Sequence, residues 1–254
     1  MSKIRRAQTL PELSDETKSR PSILEVENWT AGEVLRAARE SGVQHVLQTN
    51  HYLAGVEAQA TKVMLDRPEQ IFLCPWEPWL PGGENTAVFK FSITSQTEKS
   101  AALAQSEAFL HSHPRLRRDR HLLLLLVDEL FVNVKKAGNG APGILGYIFI
   151  AVQQAFMLLG SWDSIGSLVP DQIINNAFRC YQQGVSKSIR QDGSGAGIGS
   201  YFMFENSLSM TLAVKPGQTT AVVLLRPMDG KVDEAATLAK NIHWYINRYM
   251  NERK

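Results

Sequence analysis

Residues 121–136 read HLLLLLVDELFVNVKK, and the fold hangs on how this stretch is placed. The run at 122–127, with Leu130 and Phe131 behind it, is apolar nearly all round, the pattern of a helix lying inside a domain. Glu129 and Asn133 fall one turn apart on one face, Lys136 continues their stripe, and Asp128 points roughly 100° away. A carboxylate, an amide and an amine on a largely buried face are costly unless a partner or ligand satisfies them.

Upstream of this helix, residues 87–93 (AVFKFSI) alternate as a strand, and residues 98–111 read as a helix stopped by Pro114. Downstream, the runs at 144–152 and 155–162 are rich in β-branched and aromatic residues and predict two adjacent strands joined at Gln153 and Gln154. Asp163 stands at the end of the second, where a carboxylate can accept a hydrogen bond from a ligand's amino group. A polar helical segment, 169–188, is followed by GSGAGIG at 193–199 and a helical run at 200–206. Glycine-rich backbone feeding a helix N-terminus presents unpaired N–H groups that favour phosphate. Strands at 208–214 and 219–225 flank a turn at 215–218. Residues 233–253 carry Leu238, Ile242, Tyr245, Ile246 and Tyr249 at helical spacing, which predicts a C-terminal helix docked by that face.

The chain before residue 86 has a different texture. Residues 1–21 contain basic residues with no apolar run behind them, so they read as a flexible tail rather than a secretory signal. Strands at 22–26, 43–48 and 71–74 alternate with a helical stretch that Thr30 opens and Gly42 closes (TAGEVLRAARESG) and a helix at 54–65, predicting a small α/β unit over 22–81. The segment PWEPWLPGGEN at 75–85 marks a boundary, with its tryptophans packing the joint. The expected division is therefore a tail at 1–21, the α/β unit at 22–81, a second domain at 86–227 and a C-terminal helix at 228–254. His45 and His51 read as ordinary structural histidines.

With 254 residues, 44% hydrophobic and 20% charged, the chain has the composition of a soluble globular protein. Its longest apolar runs fall far short of the roughly 20 residues a membrane span needs. Cys74 and Cys180 are too few for a metal cluster or disulfide framework, which favours the cytoplasm. Net charge is +2. The basic cluster PRLRRDRH at 114–121 reads as a solvated helix start, and no nucleic-acid partner is expected.

In order and type these pieces resemble the ATP-binding domain shared by histidine kinases, gyrase, the heat-shock chaperone of the same fold and mismatch-repair ATPases. Within that superfamily the layout is most similar to anti-sigma-factor serine kinases, and the likeness covers 86–227. It implies an α+β two-layer sandwich, the Bergerat fold, with a mixed sheet covered by helices. It also implies ATP and Mg2+ as ligands and a regulatory protein partner of the anti-anti-sigma type. By position, the resemblance makes Glu129 the general base, Asn133 the magnesium ligand, and Lys136 a basic residue near phosphate. Asp163 would receive the adenine amino group, Gly193, Gly195 and Gly197 would form the phosphate-side glycine box, and Thr219 in GQTT would lie near adenine. Residues 169–192 would be the lid.

One motif departs. Where the family has Asp-x-Gly-x-Gly, Ile165 and Ser167 occupy the glycine positions after Asp163, and Gly166 falls between them. This keeps a second reading open, in which the same fold is a non-catalytic docking module. A dinucleotide fingerprint does not fit GSGAGIG, because SKSIRQD rather than a strand precedes it, and no Lys-Ser or Lys-Thr of a phosphate loop follows. His111 and His113 lack the acidic residue that usually follows a phosphoacceptor histidine. The sequence leaves open whether the C-terminal helix packs on its own domain or on a second copy in a homodimer.

Overall fold

The computed structural model describes residues 3–6, 22–41, 43–81, 86–138, 141–188, 198–228 and 240–246. In chain order the elements are β1 (Lys3–Arg6), β2 (Ser22–Val26), α1 (Ala31–Glu40), β3 (His45–Gln48), α2 (Ala54–Asp66), α3 (Gln70–Leu73), β4 (Ala87–Thr94) and α4 (Lys99–His111). They continue with α5 (Arg120–Ala137), β5 (Ile144–Val152), β6 (Phe156–Asp163), α6 (Pro170–Gln183), α7 (Val185–Ser188), α8 (Ile198–Glu205), β7 (Ser209–Lys215), β8 (Thr219–Pro227) and β9 (Asn241–Ile246). The nine strands of the described residues form one mixed sheet in the order β1-β2-β3-β9-β7-β8-β6-β5-β4. The fold is the expected α+β class, a mixed sheet with a layer of helices. No helix among the described residues is long and apolar enough to cross a membrane.

Local chemistry explains the main elements. Thr30 caps α1 in a reciprocal box: its Oγ1 accepts from the Glu33 amide at 3.3 Å, and Glu33 Oε2 accepts from the Thr30 amide at 2.7 Å. The β5–β6 hairpin closes where the Gln153 amide donates to the Phe156 carbonyl at 2.9 Å, as its sequence predicts. Pro170 starts α6 with a ring pre-set for helical φ, and Gly184 ends it at φ +79°.

Alternation along the strands divides the core in two. Ile148, Ile150, Leu159, Leu212 and Leu224 face the layer of α1, α4, α5, α6 and α8. Tyr147, Phe149, Leu158, Ala213 and Val223 face the other way, against Ala60 and Met64 of α2, Ile71 and Phe72 of α3, and Trp79. Trp76 packs its ring 5.0 Å from that of Phe149. The tryptophan-rich segment thus covers the sheet's second face.

Three expectations change. Helix α5 is not enclosed: Leu123, Leu126, Val127, Leu130, Phe131 and Val134 form the buried stripe, while Leu125 is 55% exposed. A run of leucines satisfies a one-sided helix as readily as a buried one, so the run alone does not fix the environment. Residues 70–73 are helix rather than strand, with Ile71 and Phe72 buried in the second-face core and Phe72 meeting the Tyr245 ring and, through its carbonyl, Trp162 Nε1.

The third change concerns the C-terminus. The described part of the expected helix is a strand, β9, which runs parallel to β7 and antiparallel to β3. Ile242 sits in the helix-side core, and His243 and Tyr245 face the opposite side. NIHWYI fits both periods, and two open strand edges, β3 and β7, decide for the strand. The sheet therefore runs unbroken from the N-terminal unit at 22–81 into the strands of 86–227, with β9 as the seam.

Candidate functional site

Helix α5 delivers its polar stripe to the edge of the helical layer. Glu129 is half-buried, and burial pushes its carboxyl above the usual carboxylate range, with Asp128 adding to the rise and Lys136 and Lys99 opposing it. Asp128 turns away as its spacing predicts and meets Lys99 of α4 at 3.1 Å. Asn133 is half-buried one turn on, and Lys136 is exposed. The neighbouring Lys135 has a structural task, donating to the Ser95 carbonyl at 2.6 Å and so tying α5 to the loop after β4.

The Glu129 carboxylate lies against Gly199, in the first turn of α8. A Cβ at Gly199 would stand 2.1 Å from Glu129 Oε2, so only glycine lets α8 seat this close to the acid as it stands. Helix α8 starts at the end of the GSGAGIG stretch, and this contact brings that end onto the polar stripe. Gly193, Gly195 and Gly197 themselves lie outside the described residues, as does the last part of the expected lid.

Asp163 ends β6 buried, and its backbone carbonyl accepts from Thr219 Oγ1 at 2.7 Å. Its side chain pins the next turn: the Ile165 and Gly166 amides both donate to Oδ1, each at 2.9 Å. Both bonds fall on Oδ1. Gly166 adopts φ +67°, and a Cβ there would lie 2.3 Å from the Lys215 carbonyl. The left-handed, close-packed position after Asp163 is therefore residue 166, where a glycine stands. Ile165 is half-buried and Ser167 exposed, neither in the core.

The structure joins Glu129 to the start of α8, and Asp163 to Thr219 and the β7–β8 turn. Helix α5 packs along β6, the strand that carries Asp163. Among the described residues no group of three or more His, Cys, Asp or Glu side chains gathers in a way that could hold a metal ion.

A second polar cluster escaped the sequence reading. His45 Nδ1 lies 3.2 Å from His243 Nδ1, and His243 Nε2 lies 2.9 Å from Glu57 Oε2, with all three residues essentially buried. Glu57 has the spacing of an ordinary helix carboxylate, and nothing in sequence links it to a histidine 186 positions away. Only the placement of β9 beside β3 exposes the relationship.

No model of a known protein family matches the chain, and no curated protein shows significant sequence similarity to it.

Proposed function

We propose that the chain is a cytoplasmic ATP-binding regulatory protein of the anti-sigma serine/threonine kinase kind, phosphorylating or sequestering a regulatory protein partner. The observation that carries this reading is the seat of Gly199 against Glu129, which places the end of a glycine-rich stretch and a helix N-terminus beside a half-buried acid. Backbone N–H groups at such a helix start attract phosphate, and an acid with a raised pKa is suited to proton transfer.

The donor set is compatible with the group. Glu129 and Asn133 offer hard oxygen donors of the type Mg2+ accepts, and Mg2+ typically keeps few protein ligands beside phosphate oxygens. Bound Mg-ATP supplies the transferable phosphoryl group and the cation that offsets its charge. Within this reading Asn133 holds the cation, Lys136 adds positive charge near the phosphates, and Asp163 offers Oδ2 to the amino group of the base. Thr219 positions Asp163 by holding its carbonyl, and Glu129 accepts the proton from the partner's hydroxyl.

The second reading, a docking module that does not bind nucleotide, is favoured by Ile165 and Ser167 at the family's glycine positions. Calorimetric titration of the full chain with Mg-ATP separates the two. Micromolar binding that is lost in Asn133→Ala supports the first. Absence of heat in the wild type sinks the nucleotide half and leaves the docking module. Binding that survives Asn133→Ala unchanged removes Asn133 from the site.

A further inference from the structure

The seam between the N-terminal unit and the rest of the sheet is short and unusually polar. Among the described residues two pairs, His45↔His243 and Val46↔Ile242, form the β3–β9 ladder, and beside them the Trp244 amide donates to the Gln44 carbonyl at 2.8 Å. Beyond them the bonds across the seam come largely from buried side chains. The Gln48 amide donates to Asn241 Oδ1 at 2.7 Å, Gln48 Nε2 donates to the Lys240 carbonyl at 3.2 Å, and Trp244 Nε1 donates to the Val43 carbonyl at 2.7 Å. His45 and His243 sit at the centre.

The two Nδ1 atoms, 3.2 Å apart, require one to carry hydrogen and the other a lone pair. With both imidazoles neutral, His243 gives Nε2–H to Glu57 and its Nδ1 lone pair accepts Nδ1–H from His45. His45 Nε2 is then a bare, buried nitrogen, which agrees with its having no hydrogen-bond partner. A proton added to His45 goes to Nε2, which places an N–H and a positive charge where no acceptor stands among the described residues, while Nδ1–H stays committed to His243.

We propose that the β3–β9 seam is a proton-released latch: charging His45 parts the 22–81 unit from the main sheet at β9. His45 meets His243 from β9, whose other ring nitrogen meets Glu57 from α2, and His51 from the loop before α2 contacts Asn241 of β9 through Nε2. On β2, Glu25 lies on the same face, two residues beyond Ile23, the register partner of His45. Burial, and to a lesser degree His243, hold the His45 imidazole well below the usual histidine range, so the latch is closed at neutral pH. The unit keeps a second anchor when the seam opens, because α1 packs on α6, with the Arg39 guanidinium 4.9 Å over the Phe178 ring. The opening is therefore local. It does not depend on nucleotide binding.

Hydrogen exchange on the full chain, corrected for intrinsic rates, tests the latch between pH 7.5 and pH 4.5. Protection at β3 and β9 should fall by about tenfold per pH unit from the ordinary histidine range downward, for as long as the closed His45 stays neutral, while β5 and β6 stay protected. His45→Asn keeps a side-chain donor near Nδ1 but cannot titrate, and should remove the pH dependence. The proposal is overturned if protection at the seam does not change with pH, if it falls equally across β5 and β6, or if His45→Asn loses it as the wild type does. Should that variant fail to fold, the onset in the wild type decides: loss of seam protection that begins in the ordinary histidine range supports the latch, and loss that begins only in the carboxylate range refutes it.

Discussion

Glu129 and Gly199 share one volume: the carboxylate of the first fills the space where a side chain on the second would begin, with 2.1 Å between Oε2 and an ideal Cβ. A carboxylate at the end of a flexible side chain can move aside, whereas the α8 backbone is fixed by Met203 and Phe204 in the core. Gly199→Ala should therefore fold with stability within about 1 kcal/mol of wild type, helped by the better helix propensity of alanine. It should re-aim Glu129 and, on the proposed kinase reading, lower phosphotransfer on the order of a hundredfold. Thermal melts and a partner-phosphorylation assay check the two halves, and phosphotransfer equal to that of the wild type would break the proposed link between this contact and catalysis.

Glu129 itself should cost stability. Its folded pKa is raised, so the native state binds more protons than the unfolded chain between the ordinary carboxylate range and the raised value. Its contribution is most favourable at acid pH and declines as pH rises through the folded pKa. Glu129→Gln should accordingly be more stable than wild type at pH 7, with the gap closing toward pH 4. Urea unfolding at both pH values measures it, and a gap that widens in acid would contradict the assigned direction.

Gly166 is held by backbone on all sides, with the Lys215 carbonyl and the Gln218 and Thr219 amides all within 2.7 Å of an ideal Cβ. Gly166→Ala combines a left-handed φ with an overlap that no side-chain rotation relieves, and should cost about 2–4 kcal/mol. Asp163→Ala removes the acceptor of two amides, one of them buried, and should cost about 1–3 kcal/mol. Denaturant midpoints give both values, and a neutral Gly166→Ala would mean that the turn is not needed.

Lys240 is buried with its Nζ donating to the Glu205 and Ser207 carbonyls at the C-terminal end of α8. Burial lowers its pKa to about 8, Glu205 opposing and Arg226 adding to the drop. Between that value and the ordinary lysine range the unfolded chain binds more protons, so stability should rise with pH across this window. From pH 8 to 9.5 the gain should be about 1–2 kcal/mol and absent in Lys240→Met. Equal pH slopes for the two proteins would remove Lys240 as its source.

How much of this was legible follows from the range of the interactions involved. Helix α5, the β5–β6 hairpin and the start of α1 announce themselves because their signals lie within a turn or a strand length: the leucine stripe, the paired apolar runs, Thr30 as the helix opener. Asp163 at a strand end was equally readable. The turn after it was harder, since Gly166 looked misplaced until the Lys215 carbonyl was seen beside it. Residues 241–246 misled because Ile242, Tyr245 and Ile246 suit a helix as well as a strand, and the choice belongs to edges contributed by residues 45–48 and 209–215.

The amino-acid order alone determined the α+β class, the polar stripe on α5 and the position of the strand-end acid, because period and chain neighbours encode them. Tertiary structure alone decided that Gly199 abuts Glu129, that β9 joins the N-terminal unit to the sheet, and that His45, His243 and Glu57 meet. These contacts arise when distant segments compete for the same strand edge or the same buried volume, and no local pattern records who wins.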